Sequence, residues 1–486
     1  MTKRNSIIFL IVIFTTLLLT SCARNEGRKQ YVEDSTILHS QKLPYGICND
    51  SVQVLSVLLP SWTIPPGRDN LFSIAETTMN QQLLEYGQEV RVEVSTFSFE
   101  ERLDIVTRMN VMMMAGDSYD LFYFSPVDRS IWRHSQSGFL ANIYTLMDES
   151  PNTNREDFFT NVLDAFAIDG NLYAFPLSFG FYHIAINSTL PQEFINRFAE
   201  KETVSRSELM HMYLDLQHLH GNGYSHLLLA DPFVEFSPQS MLPRAVSDFV
   251  DFYNKTANLI DNRFADFFTA IRHVQDFQGF RRDGSRIVRF NFPDSYRRIQ
   301  NAKQYMFISD SIGDHLLYSF FQQQSPLFLH HTPLATDDGR LLLNPDMDLF
   351  PVFSIPIGGQ QALAWEFLQH LIRPMVVQIY GFRDRVNFQI PIKRSYFHSN
   401  FSVAFKNLTD VISDYFEGMG NAADRETIIQ NAKDKLAALS ELPMATVPLV
   451  PFDLLEDDFN QMLYGLITPE VSAQCMNNRV ALWLIE

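Results

Sequence analysis

The sequence has few cysteines, less positive than negative charge, and only one long apolar run. Three cysteines occur among 486 residues, at Cys22, Cys48 and Cys475, so a disulfide-rich scaffold is excluded. Cys48 and Cys475 form a disulfide only if the fold brings them together, which the sequence leaves open. Lysine and arginine total 38 against 56 acidic residues, for a formal net charge of −18. A chain this acidic is poorly suited to bind nucleic acid or an anionic lipid surface.

The motifs of several common enzyme classes are also missing. The sequence contains no Gly-x-Ser-x-Gly, no glycine loop for phosphate and no zinc-protease helix motif. His211, Asp215 and His218 share a helix face at a spacing that a metal tolerates, but the neighbouring leucines are typical of an ordinary amphipathic helix. A glycoside hydrolase needs only two carboxylates placed in three dimensions, so that alternative stays open.

The single long apolar run lies at the amino terminus. Lys3 and Arg4 precede apolar residues 7–19, and residues 19–22 read Leu-Thr-Ser-Cys. The run is too short for a comfortable membrane span. It resembles a bacterial lipoprotein signal, which implies removal of residues 1–21 and attachment of acyl chains such as palmitate to Cys22. An uncleaved anchor helix is the alternative, and under both interpretations the rest of the chain lies on the extracytoplasmic face of the cell membrane.

The next segment predicts a tether followed by an α/β lobe. Residues 22–48 are mostly polar, which is typical of a flexible tether. The periodicity of apolar residues then predicts alternating strands and helices: a strand at 52–59, a helix at 71–86, a strand at 90–96, a helix at 103–113 that Gly116 ends, and a strand at 120–124. This order favours a mainly parallel sheet flanked by helices.

Similar patterns continue to the carboxyl terminus. They predict strands at 182–187 and 227–230, helices at 260–274 and 364–372, and two terminal helices, of which the second is capped by Thr468 and has Pro469 at its first position. A chain of this length exceeds what one apolar core usually serves, so at least two lobes are expected.

Three stretches then carry a family resemblance. They are residues 113–122 (MMAGDSYDLF), residues 164–176 (which include DGNLYAFP) and residues 364–371 (AWEFLQHL). In this order and behind a lipoprotein signal, they resemble the extracellular solute-binding proteins of ABC importers, in the carbohydrate branch of maltose-binding protein.

The resemblance implies a type II periplasmic-binding-protein fold of two α/β lobes, each built on a mainly parallel sheet. The expected amino-terminal lobe is 49–178 plus about 345–393, and the carboxyl-terminal lobe is 179–344 plus about 394–486. The chain is expected to cross between them near 176–184, 332–350 and 390–396. The resemblance also implies a monomer that needs no cofactor, no metal and no catalytic residue, because ATP hydrolysis belongs to the permease complex.

Candidate ligand contacts come from the rule that ligands of open α/β sheets meet loops at the carboxyl ends of strands. That rule and the resemblance select Trp62, Tyr123, Ser125, Asp128, Phe181, Tyr182, Ser309 and Asp310. Aromatic faces with hydroxyl and carboxylate partners suit a sugar. The alternative for each aromatic residue is a place in the core.

The expected function is therefore capture of a small solute, such as a sugar or oligosaccharide, for delivery to the transmembrane subunits of an ABC permease. A second hypothesis keeps the same fold but makes the protein a ligand-sensing accessory of a membrane histidine kinase. An extracellular glycoside hydrolase is the third.

Overall fold

An interior strand of the first sheet is apolar on both faces.

A computed structural model describes residues 52–61, 71–84, 87–98, 101–116, 118–124, 130–151, 153–188, 190–216, 226–229, 238–252, 254–277, 305–311, 328–343, 352–372, 390–397, 422–446 and 450–485. All of them belong to one compact unit, Gly46–Glu486. Cys22, Cys48, Trp62, Ser125 and Asp128 lie outside the described residues.

The helices and strands follow the order that the sequence predicts for the first lobe. The helices are Leu71–Leu83 (α1), Arg102–Ala115 (α2), Ser130–Gln136 (α3), Ile143–Glu149 (α4), Thr160–Phe166 (α5), Gln192–Ala199 (α6), Arg206–Leu216 (α7), Pro238–Ser247 (α8), Asn262–Phe277 (α9), Gln361–Ile372 (α10), Ala422–Ser440 (α11), Glu456–Leu463 (α12) and Pro469–Ile485 (α13). The strands are Val52–Pro60 (β1), Glu89–Phe97 (β2), Leu121–Phe124 (β3), Ala167–Ile168 (β4), Asn171–Leu172 (β5), Phe175–Pro176 (β6), Ser178–Phe179 (β7), Tyr182–Asn187 (β8), Val204–Ser205 (β9), His226–Leu229 (β10), Val250–Asp251 (β11), Thr256–Ala257 (β12), Tyr305–Ser311 (β13), Phe328–Ala335 (β14), Leu341–Leu342 (β15), Val352–Ser354 (β16), Ile390–Pro391 (β17) and Met444–Ala445 (β18).

Strand β1 lies inside the first sheet, whose order is β2-β1-β3-β16-β6. Leu55, Val57 and Leu59 pack into the core on one face of this strand, and Leu58 packs into a separate core on the other. Burial on both faces explains why the strand is nearly continuous in apolar residues. Helix α2 covers the second face, and Gly116 ends it with a φ of 69°, a left-handed conformation that glycine adopts without strain.

The second sheet has the order β10-β13-β8-β14-β15-β18, with β9 paired to β14. Its apolar core is separate from the two cores of the first sheet and includes side chains from α6, α9, α12 and α13. The predicted two-lobe α/β class is therefore confirmed. Pro469 occupies the first position of α13, and the Val471 N–H donates to the Thr468 hydroxyl at 3.4 Å, as the sequence predicts.

Both sheets are mixed, whereas the sequence predicts mainly parallel ones. Strands β2 and β3 run parallel to β1, but β16 is antiparallel to both β3 and β6. In the second sheet, β8 is antiparallel to both of its neighbours. The parallel strands β1, β2 and β3 are linked by the helices α1 and α2, whereas β16 follows β15 of the second sheet and enters the first sheet in the reverse direction.

Ile260 also departs from the predicted helical stripe. The helix begins only at Asn262, because the Asp261 side chain accepts the N–H of Arg263 and its carbonyl accepts the N–H of Phe264. Ile260 precedes this cap and is 59% exposed. The apolar periodicity was correct for Phe264 and Phe268, which are fully buried.

Candidate ligand-binding site

The carboxyl ends of β1 and β3 meet at one edge of the first sheet. The parallel register pairs Val57 with Leu121 and Leu58 with Phe122, so both strands end at the same level. Ser61 follows β1 and is exposed. Tyr123 is the third of the four residues of β3. It is half-buried and packs against the cores on both sides of the sheet. The edge therefore brings Tyr123 close to the strand end that precedes Trp62.

A short segment links the first sheet to the second. Strand β6 ends at Pro176 in the first sheet, and β8 begins at Tyr182 in the second. Between them β7 pairs with β17, and Phe181 forms a bridge to Leu343. The Ile392 N–H donates to the Leu177 carbonyl at 3.1 Å, which extends the contact. Chain segments far apart in sequence thus meet in this linking region.

The aromatic residues of the linking segment are largely packed inward. Phe179 makes an edge-to-face contact with Phe159 at 5.2 Å between ring centroids. Phe181 is only 2% exposed and belongs to the first core. Its burial favours a packing role. A contact between Phe181 and a ligand stays a prediction.

The candidates from the second lobe lie on two neighbouring strands. Strand β13 pairs with β8 so that Ser311 faces Tyr182 and Ser309 faces Ile184 across the ladder. Asp310 lies between these two positions of β13. Ser309, Asp310 and Ser311 all belong to strand β13. The side chains of Tyr182, Ser309 and Asp310 lie outside what the structure describes.

Three polar residues that the sequence did not single out connect distant segments of the chain beside the linking region. The Asn161 amide of α5 donates to the carbonyls of Ser440 and Leu442, at 2.7 and 2.6 Å. Thr446 donates to the Ala165 carbonyl at 2.5 Å. Arg394 donates to the Phe158 carbonyl at 2.8 Å and pairs with Glu441. The partners are separated by 47 to 281 residues, so no local pattern identifies them.

Two residues of the candidate metal site pair with other side chains. Asp215 pairs with Arg197 at 2.9 Å, and His211 Nε2 lies 3.8 Å from Asp266. His218 lies outside the described residues. Within the described ranges, no three His, Cys, Asp or Glu side chains are grouped so that they could hold a metal ion. The Cys475 thiol is free.

Of the helices in the described part of the chain, none combines the length and apolarity needed to cross a bilayer.

No family model matches the sequence, and no curated protein matches it significantly. Among solved structures, the sugar-binding protein MalE of Xanthomonas citri is similar, with a TM-score of 0.51, 12% identity, and coverage of 89% of this chain and 98% of that one. A periplasmic-binding protein of Synechococcus sp. MITs9220 that is assigned to oligosaccharides has a TM-score of 0.52 and 12% identity, covering 89% of this chain and 99% of that one. The chain therefore has the two-lobe α/β fold of the periplasmic-binding proteins.

Proposed function

We propose that this protein is a lipid-anchored solute-binding protein that captures a sugar or oligosaccharide between its two lobes and delivers it to an ABC permease. The main support is the likeness of the whole fold to proteins named for sugar and oligosaccharide binding. In this proposal the chain performs no catalysis, because binding and release are its only chemical tasks.

The geometry supports a site where the two sheets approach the linking segment. Tyr123 stands at the carboxyl edge of the first sheet, and Tyr182 begins the strand that enters the second. In the sequence, Trp62 follows the end of β1, and Ser125 and Asp128 follow the end of β3. Both strands end at this edge. Ser309 and Asp310 lie on the strand next to Tyr182. Apolar C–H faces of a sugar would stack on the aromatic rings, while its hydroxyl groups would bond the serine and aspartate oxygens.

Closure of the lobes over the ligand completes the proposal. The segments 177–181 and 390–392 lie side by side. In this proposal both cross between the lobes, so rotation about them would open or close the site. A permease would then recognise the closed shape. The anchor at Cys22 would keep the loaded protein close to that permease.

Thermal unfolding with a panel of sugars and oligosaccharides tests the binding step. A ligand that binds only the folded protein stabilises it by RT ln(1 + [L]/Kd), about 2.7 kcal/mol at a hundredfold excess over Kd. We expect one carbohydrate to raise the melting temperature by several degrees and to reduce the radius of gyration in solution scattering. If no carbohydrate changes either quantity, the proposal fails.

Variants at the two ends of β3, and one just after β1, test the location of the site. Tyr123→Ala and Trp62→Ala should each weaken the affinity at least about tenfold, as expected when an aromatic contact is lost. Tyr119→Ala is the matched control, because Tyr119 is also a half-buried tyrosine but precedes the amino end of the same strand. Equal affinity losses for Tyr119→Ala and Tyr123→Ala would contradict the proposed location.

The membrane partner needs a separate experiment. Capture of membrane proteins by the anchored chain, with and without its carbohydrate, should recover the transmembrane subunits of a permease. Recovery of a histidine kinase instead would overturn the transport role while leaving the binding role intact.

A further inference from the structure

Residues 440–446, which we name the strap, have different partners on their two sides. The strap contains β18, which pairs with β15 of the second sheet, and the Leu341 N–H donates to the Pro443 carbonyl at 2.8 Å. The side chain of Met444 is buried in the first core, which also contains Val162 of α5. The strap therefore belongs to the second sheet by its backbone and to the first core by a side chain.

Helix α5 holds the first-core side of the strap. Its Asn161 amide donates to the carbonyls of Ser440 and Leu442, at 2.7 and 2.6 Å. These two carbonyls fix the orientation of the amide, because a flipped amide would place its oxygen against them. The Thr446 hydroxyl donates to the Ala165 carbonyl of the same helix. Movement of the strap away from α5 therefore breaks both bonds of the amide.

Two buried polar atoms lie beside these bonds. In the part of the chain that the structure describes, neither Asn161 Oδ1 nor the Ser440 hydroxyl has a hydrogen-bond partner, and bulk water does not reach either atom. A buried polar group without a partner carries its full desolvation penalty, which is comparable to the net gain from a hydrogen bond or larger. Movement of the strap away from α5 would hydrate both atoms, and this gain offsets the loss of the two amide bonds.

The strap can therefore occupy two arrangements of similar free energy. The bonds of the Asn161 amide favour contact with α5, whereas the two atoms without partners favour release. Thr446 is half-buried, so water can replace the partner of its hydroxyl. Met444 has a flexible side chain that adapts to a small displacement. Because β18 moves with β15, release allows the second sheet to rotate relative to the first core.

We propose that Asn161 and Ser440 form a releasable clasp on the strap, and that this clasp sets the balance between two arrangements of the first core and the second sheet before any ligand binds. We name them the clasped arrangement, with both amide bonds, and the released arrangement. The clasp itself rests on the two-lobe fold. Its effect on carbohydrate affinity rests on the proposed function, since a ligand that prefers one arrangement loses affinity in proportion to the population of the other.

Spin-label distances in the chain without ligand test the clasp. The mature chain, with its three native cysteines replaced by serine, carries labels at Met114→Cys of α2 and Leu482→Cys of α13, two exposed positions on helices that pack on different sheets. Asn161→Asp should raise the ratio of released to clasped molecules at least about tenfold, because a carboxylate oxygen replaces the amide donor in front of two carbonyl oxygens. An unchanged distance distribution would overturn the proposal.

Asn80→Asp is the matched control for this variant. The Asn80 amide also donates to a backbone carbonyl, that of Val90 at 2.8 Å, but it joins α1 to β2 within the first sheet and its core. It should lower the urea midpoint and leave the label distances unchanged. Equal distance changes for Asn80→Asp and Asn161→Asp would mean that any such loss moves the labels, and the clasp would be refuted.

Ser440→Ala tests the second half of the balance and does not depend on the folding of Asn161→Asp. It removes a buried hydroxyl without removing a hydrogen bond, so neither the urea midpoint should fall nor the ratio of released to clasped molecules rise. A lower midpoint or a higher ratio would show that the hydroxyl stabilises the clasped arrangement, contrary to the proposal. Since no carbohydrate is present in these measurements, a sugar panel without any binder would leave their outcome unaffected.

Discussion

Asp120 joins three parts of the first lobe, and its removal is predicted to change the effect of a second mutation. Its Oδ2 accepts hydrogen bonds from the Ser56 N–H at 2.9 Å and the Ser56 hydroxyl at 2.8 Å, both from β1. Its Oδ1 accepts the N–H of Gln360, just before α10, at 3.0 Å. A Cβ on Gly359 would lie 2.9 Å from this same oxygen. Asp120 therefore constrains what residue 359 can be.

The expected magnitudes follow from these contacts. Asp120→Ala removes three hydrogen bonds of about 0.5–1.5 kcal/mol each at a half-exposed position, so we expect a loss of about 2–3 kcal/mol in the free energy of unfolding. Gly359→Ala pushes the carboxylate out of its rotamer and weakens the same bonds, at a cost of about 1–2 kcal/mol.

The double variant should separate the steric effect from the backbone effect. Gly359 does not have a positive φ, so alanine fits the backbone there. Once Asp120→Ala has removed the clashing oxygen, Gly359→Ala should stabilise the protein by about 0.4–1 kcal/mol, because alanine lowers the entropy of the unfolded chain. The sign of the Gly359→Ala effect thus reverses between the two backgrounds, which corresponds to a coupling of about 1.5–3 kcal/mol.

Urea denaturation of the four chains, with linear extrapolation to water, measures the coupling. Asp157→Ala is a suitable control, since Asp157 is an exposed aspartate of the same lobe. Costs that add to within about 0.5 kcal/mol would refute the reasoning, because independent sites behave in that way. Equal destabilisation by Asp157→Ala would show that loss of any carboxylate has the same effect.

Three further outcomes are expected in the two lobes. Arg206→Met leaves the largely buried Asp248 carboxylate without its two bonds of 2.7 and 2.9 Å, so the free energy of unfolding should fall by about 2–4 kcal/mol in urea titrations. Asn80→Ala removes both hydrogen bonds from α1 to the backbone of β2, and amide exchange at the start of that strand should accelerate at least about tenfold. Hydrogen bonds from Arg263 hold the pKa of Asp261 below its ordinary value, so the stability from this pair is complete above about pH 4 and is lost as the pH falls further. Asp261→Asn should therefore make unfolding less sensitive to acid below about pH 4 in thermal scans, and an unchanged acid limb would contradict this assignment.

The sequence predicted those elements whose cause is local. The apolar run of β1 and the glycine that ends α2 are visible within a few residues, and the structure confirms both. The start of α9 was wrong by two residues because Asp261 competes successfully for the helix cap, which excludes Ile260. Periodicity alone does not reveal such a competition.

Features that depend on distant partners were beyond the sequence. The antiparallel return of β16 depends on where the chain lies after it leaves the second sheet, and apolar spacing carries no information about strand direction. Asn161 bonds to carbonyls about 280 residues away, and an isolated asparagine on a helix gives no sign of this. The candidate site combines both difficulties, because its residues come from strand ends in two sheets.

Changes at the two ends of strand β3 are expected to differ in their effect on carbohydrate affinity. Its amino end follows Asp120, whose bonds to β1 and to the start of α10 hold the lobe together. Its carboxyl end carries Tyr123 at the edge where ligands of such sheets bind. Asp120→Asn should therefore lower the free energy of unfolding while leaving carbohydrate affinity nearly unchanged, whereas Tyr123→Ala should weaken the carbohydrate affinity in addition to removing its packing against the two cores. A strand whose two ends responded alike in both measurements would mean that the binding edge is not independent of the packing beneath it.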